Sequence, residues 1–122
     1  MAVKDEVGRY GEDVVARDLL ARGWSVLARN WRPARGGGVR GEIDIVARDG
    51  GDLVVVEVKT RRSGSFGRAA EAVTRAKVAR LRRLAAAWLA SQDETYAGVR
   101  IDVVTVETGD GPPVVEHLRC VE

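Results

Sequence analysis

Cysteine occurs once in the 122 residues, at Cys120, and histidine once, at His117. One thiol permits no internal disulfide, and with a single imidazole it supplies no zinc cluster. No histidine base is placed to activate Cys120, so nucleophilic catalysis by the thiol is not expected. Aromatic residues are scarce, at three Trp, two Tyr and one Phe. The longest apolar runs, Leu53–Val56 and Leu84–Ala90, fall far short of the roughly 20 residues that cross a bilayer. Lys4, Asp5 and Glu6 stand where a signal peptide would need an apolar stretch, so a cytoplasmic protein with no membrane partner is expected. No segment repeats at a fixed period. The chain does have ordinary globular material, 45% hydrophobic and 31% charged. That is enough for one domain, 1–122, with its own core.

The formal charge of +2 conceals an uneven distribution. Between residues 61 and 83 lie eight bases (Arg61, Arg62, Arg68, Arg75, Lys77, Arg80, Arg82 and Arg83) and one acid, Glu71. The rest of the chain is net acidic. Such asymmetry points to a local surface for a polyanion. Arginine outnumbers lysine 17 to 3. Phosphate recognition through the guanidinium fork explains that bias, and so does a GC-rich genome.

Apolar spacing predicts a helix over about 5–22, with Val7, Tyr10, Val14 and Val15 on one arc and Gly23 as its stop. Strands are predicted near 24–29, 42–48 and 53–60, then a second helix over about 70–91 and strands near 99–107 and 114–118. The segment 61–68 reads as a flexible basic loop, and 33–38 as a glycine-rich loop that matches no phosphate-binding motif. It leads straight into Glu42, where it would serve as a flap. The order is that of a layered α/β domain.

Asp49-Gly50-Gly51-Asp52 between two alternating runs is a hairpin signal. With the glycines in the turn, facing residues have numbers summing to 101. Ile43, Ile45, Ala47, Val54, Val56 and Val58 then share one apolar face, and a one-residue slip would scatter them. The opposite face ends in Glu42, Asp44, Glu57 and Lys59. Asp44 and Glu57 would stand about 5 Å apart, where like charges destabilise a sheet. Lys59 and solvent would offset that, with Glu42 and Lys59 an ordinary ion pair. A divalent cation is the other answer, because Mg²⁺ takes one or two carboxylates plus water and substrate phosphate. Spacing alone leaves both open.

On the second helix Val73, Thr74, Leu81, Leu84, Ala85 and Trp88 form an apolar arc with Lys77 near its middle. Lys77 either snorkels or reaches over the sheet to an acid or phosphate. Glu12 lies at the edge of the first helix's apolar stripe, as a surface charge or as a third carboxylate. Asp102, between apolar neighbours, reads as a structural ion pair or hydrogen bond before a supporting ligand. His117 reads as structural or surface. Trp24, Trp31 and Trp88 read as anchors of the core.

Asp44, twelve intervening residues and then Glu57-Val58-Lys59 resemble the PD-(D/E)xK nuclease superfamily. More closely, the chain resembles the YraN-like family of small bacterial proteins. Gly11-Glu12, Gly41-Glu42-Ile43-Asp44-Ile45-Val46, Val56-Glu57-Val58-Lys59-Thr60-Arg61, Ala72-Val73 with Lys77, and Arg100-Ile101-Asp102-Val103-Val104 carry the likeness. The arrangement is also similar to that of archaeal Holliday-junction resolvases. The resemblance implies a restriction-endonuclease-like αβββαβ core, with a mixed central sheet flanked by helices. It implies Mg²⁺ or Mn²⁺ held by Asp44 and Glu57, with the Val58 carbonyl and Glu12 contributing and Lys59 assisting catalysis. The implied substrate is DNA, branched forms included, gripped by Arg61, Arg62, Arg68, Arg75, Lys77 and Arg80, with Glu42 and Asp102 in support. A resolvase-like role would favour a two-fold homodimer. Ile43 stands where the superfamily's name has proline. The competing expectation is a non-catalytic nucleic-acid-binding or interaction protein that keeps the fold.

Overall fold

The computed structural model describes residues 6–63 and 73–121. Helix α1 (Glu6–Ala21) is followed by strands β1 (Ser25–Trp31), β2 (Ile43–Asp49) and β3 (Asp52–Arg62). Helix α2 (Arg75–Ala90) and strands β4 (Gly98–Thr108) and β5 (Val114–Leu118) complete the chain. The strands form one sheet in the order β1-β2-β3-β4-β5, and only β3 and β4 run parallel. Parallel neighbours need a crossover, and α2 lies within it. This is the mixed sheet expected, an αβββαβ core with β5 added at the edge. No described helix is long and apolar enough to cross a membrane.

Helices cover both faces. On one, Val15, Ala16 and Leu19 of α1 pack with Ile45, Ala47, Val54, Val56, Val104 and Val106. On the other, Val78, Leu81, Leu84 and Ala85 of α2 pack with Val46, Leu53, Val55 and Ile101. Strands buried on both faces read as continuous apolar runs, which explains Leu53–Val56.

The hairpin register is the one expected, from Asp49↔Asp52 to Ile45↔Val56, with Gly50 supplying the positive φ of the turn (+59°). Several expectations change. Ile43 joins the α2-side cluster rather than the face of Ile45. Past Ile45 the pairing of β2 with β3 ends while Ile43 still pairs with Trp31, so the strand end turns toward α2. Tyr10, expected on the apolar arc, is 45% exposed. Thr74 is the N-cap of α2, its hydroxyl accepting from the Lys77 N–H at 3.1 Å, and Val78 takes the core position. Arg61 and Arg62 belong to β3 rather than a loop. Arg68, the rest of the expected basic loop and the first residues of the expected second helix lie outside the described residues, as does Asp5.

Helix α1 lies flush against β3 at Gly11, where a Cβ would overlap the Thr60 hydroxyl. That closeness brings the next residue, Glu12, down to the sheet. Gly11→Ala is therefore expected to destabilise the fold by about 1–3 kcal/mol, the usual cost of overpacking. Thr60→Ala should restore part of the loss, and denaturant titration of the two single variants and the double variant checks both statements.

Candidate active site

Strand β3 keeps its partner β4 as far as Arg62↔Thr108, but loses β2 after Val56. Strand β2 keeps β1 as far as Ile43. The two strands therefore part like a fork. Into the gap Asp44 extends its carboxylate, and Oδ2 accepts the Val58 N–H at 2.8 Å. A strand residue's N–H and C=O point to the same side, so the Val58 carbonyl opens into the gap as well. A cleft of about 1240 Å³ begins here, walled by α1, by the 32–42 loop and by the first turns of α2. Asp44, Glu57, Val58, Lys59 and Glu12 all line it.

Asp44 and Glu57 are both buried. Lys77 reaches across from α2 and places Nζ 3.0 Å from Glu57 Oε2. Of its two expected behaviours, the structure realises the reach to an acid. Burial, and then the Asp44 carboxylate beside it, push the Glu57 pKa above the usual carboxylate range, against the downward pull of Lys77. Lys77 thus offsets only part of what burial and Asp44 do to Glu57. Lys59, the next exposed residue on the strand, lines the same cleft, and among the described residues its side chain makes no hydrogen bond or ion pair.

Glu12 is 2% exposed. Asn30 Nδ2 donates to it at 3.0 Å and also to Glu42 at 2.9 Å. Glu42 precedes β2, and Arg32 pairs with it at 2.9 Å, so Asn30 and Arg32 take the place expected of Lys59. Asn30 escaped sequence reading, although an asparagine within a strand pattern is itself a signal, being a poor strand former. The glycine-rich stretch expected to serve as a flap lies within the 32–42 loop. That loop forms a wall of the cleft and brings Arg35 and Arg40 to it.

Of the bases expected to grip nucleic acid, Lys77 and Arg80 are the ones among the described residues that line the cleft. Arg62 and Arg75 are exposed on β3 and at the start of α2, beside it. Arg35, Arg40, Lys59 and Arg80 together have no carboxylate partner among the described residues. Among those residues no three His, Cys, Asp or Glu side chains cluster closely enough to cage an ion. The protein offers instead two buried carboxylates, Asp44 and Glu57, with the Val58 backbone carbonyl beside them. That donor set suits Mg²⁺, which keeps waters and substrate oxygens in its shell.

Asp102 lies elsewhere. Its neighbours Val104 and Val106 face α1, and the carboxylate, 0% exposed, belongs to a closed network. Arg100 Nε donates to it at 3.2 Å, the Cys120 N–H at 3.0 Å and His117 Nε2 at 2.8 Å. Arg22 contacts His117 Nδ1 at 2.8 Å, which makes Nδ1 the acceptor and leaves the ring hydrogen on Nε2. Burial would raise the Asp102 pKa, but the His117 and Cys120 hydrogen bonds and the Arg100 charge hold it below the usual value. This is the structural role expected first for Asp102, with His117 in it.

The raised Glu57 pKa has a signed consequence for stability. A carboxyl whose folded pKa lies above its unfolded one contributes stability at low pH and loses it as pH rises through the folded pKa. Without divalent ions, Glu57→Gln should therefore gain on wild type as pH rises from the ordinary glutamate pKa to the folded one, and the gain should level off above it. The gain should vanish below the ordinary glutamate pKa. Thermal melts in chelator across pH 4–9 check this.

Comparison with known sequences places this geometry in a family. Residues 11–106 match the model of the Uncharacterised protein family UPF0102. A UPF0102 protein of Beutenbergia cavernae is 57% identical over 122 residues, covering 99% of each chain. One from Frankia alni is 52% identical over 120 residues, covering 98% of this chain and 96% of its own. One from Streptomyces coelicolor is 52% identical over 123 residues, covering 99% and 92%. The matched stretch contains Glu12, Asp44, Glu57, Lys59 and Lys77, and the chain belongs to family UPF0102, the YraN-like family its motifs resemble.

Proposed function

We propose that this chain is a Mg²⁺- or Mn²⁺-dependent endonuclease hydrolysing phosphodiester bonds in DNA, branched or structured DNA included. The observation that carries the reading is the buried Asp44–Glu57 pair at the strand fork, in a cleft rimmed by cations that have no carboxylate partner among the described residues. Two forced-together carboxylates are stabilised by a cation, and Arg35, Arg40 and Arg80 suit a phosphate backbone.

Asp44 and Glu57 would hold the ion, with the Val58 carbonyl beside them and Glu12 at the α1 wall. A divalent ion there supplies Lewis acidity toward a phosphoryl oxygen and lowers the pKa of bound water. The protein's own groups do the remaining work. The cleft arginines fix the backbone in register. The Lys59 ammonium meets a non-bridging oxygen, where charge builds as water adds to phosphorus. The phosphorus–oxygen ester bond then breaks, and the proton lost by water ends on the leaving hydroxyl.

A second reading has an observation of its own. Lys77 already sits on Glu57 at 3.0 Å, so the acid pair is partly neutralised from within the fold. That favours a non-catalytic protein binding nucleic acid through the same rim.

One set of measurements separates them. Calorimetry should detect Mn²⁺ binding to wild type and its loss in Asp44→Ala. Lys59→Ala should keep the ion but cleave about 10²–10³-fold more slowly, the usual cost of one transition-state donor. No divalent binding and no products from linear, branched or single-stranded DNA would defeat the nuclease reading. Salt-dependent DNA affinity that survives Glu57→Gln, without products, would establish the other.

A further inference from the structure

We infer that Asn30 is a positioning residue of the acid centre, its one side-chain amide holding Glu12 and Glu42 together and keeping Glu12 at the wall of the fork. The inference rests on the metal-dependent reading above. It begins from geometry: Nδ2 lies 3.0 Å from Glu12 Oε1 and 2.9 Å from Glu42 Oε1. An amide nitrogen carries two hydrogens, so it serves both carboxylates without sharing one.

The backbone at Asn30 is bent to this purpose. Its φ is +52°, a conformation that asparagine tolerates better than most side chains. Asn30 precedes Trp31, the last residue of β1, and Glu42 precedes Ile43, the first of β2. Arg32 and Glu42 pair at 2.9 Å across the neck of the loop between these strands. Asn30 ties that neck to α1 through Glu12, joining the arginine-bearing wall of the cleft to one of its acids.

The side chains that meet the two acids differ in charge. Lys77 fixes Glu57 with a full positive charge. Asn30 fixes Glu12 without one. Arg29 is 3.7 Å from Glu12 and nearer, at 2.8 Å, to Asp13.

Asn30→Gly tests this, because glycine accepts the positive φ and removes the side chain that carries the amide. Mn²⁺ affinity measured by calorimetry should fall about 10–100-fold, the usual range for a residue that orients a ligand. Ion-free thermal stability should show no matching loss. In a Glu12→Ala background, adding Asn30→Gly should change Mn²⁺ affinity no further. Wild-type affinity in Asn30→Gly, or an undiminished loss in the Glu12→Ala background, would overturn the inference and leave the nuclease reading standing. Wild-type protein that binds no Mn²⁺ would overturn that reading, and the inference with it. Should the variant not fold, the wild type supplies the answer by NMR. Mg²⁺ titration should shift the Asn30 side-chain amide resonances in step with binding, and resonances unmoved at saturation would overturn the inference.

Discussion

The Val58 N–H has no strand to bond to where β2 and β3 part, and the Asp44 carboxylate satisfies it at 2.8 Å. A buried backbone donor left without a partner costs about as much as a lost hydrogen bond or more. The acid therefore has a duty in the fold before it has one in chemistry. It closes the end of the ladder with a side chain in place of a carbonyl, and in doing so its carboxylate is fixed at the mouth of the gap. Everything else in the cleft is arranged around that fixed point. Glu57 is one residue from the donor, Lys59 one residue beyond it, and the Val58 carbonyl opens on the same side.

A fork alone would give an exposed pair of acids. Helices on both faces make it a site. From the α2 side Lys77 reaches Glu57, its backbone N–H taken by Thr74 at the helix start. From the α1 side the close approach at Gly11 sets Glu12 against the sheet, where Asn30 and Arg29 meet it. The 32–42 loop adds cations from the edge of the sheet. Three layers converge where β2 and β3 part.

What could be read along the chain was whatever repeats locally. Alternation at period two set the hairpin register, because slipping it would have put Ile45 on the face opposite Val54 and Val56. A lysine amid apolar helical positions announced its reach toward an acid. The fork itself lay beyond such reasoning. Nothing in the run from Glu42 to Asp49 marks where one neighbour is lost and the other retained, since that depends on β1 and β4. Ile43 was misassigned for this reason: alternation counts faces only while the strand stays paired. Asn30 was missed because its two partners lie 18 and 12 residues away and meet only in the folded chain. The clustering of Arg35, Arg40 and Arg80 is equally non-local, whereas the basic run after residue 60 stood out in composition alone.

The same side-chain chemistry is treated in opposite ways at two places in this sheet, and the contrast separates structure from function. Asp102 is sealed from solvent, with hydrogen bonds from Arg100, His117 and the Cys120 N–H, and its proton is held loosely. Charge and desolvation are settled there within the chain, and a third party has nothing to add. Asp44 and Glu57 are also buried, yet the balance at Glu57 tips the other way, toward keeping a proton it would ordinarily release. A fold selected for stability alone would close that deficit as it closed the first, with another arginine or an apolar pair. Instead the unpaired cations stand back at the rim, where they would meet an anion larger than a carboxylate. Frustration kept at one point and removed at another is what the proposed function requires, since its ion and its phosphate backbone would both arrive from outside.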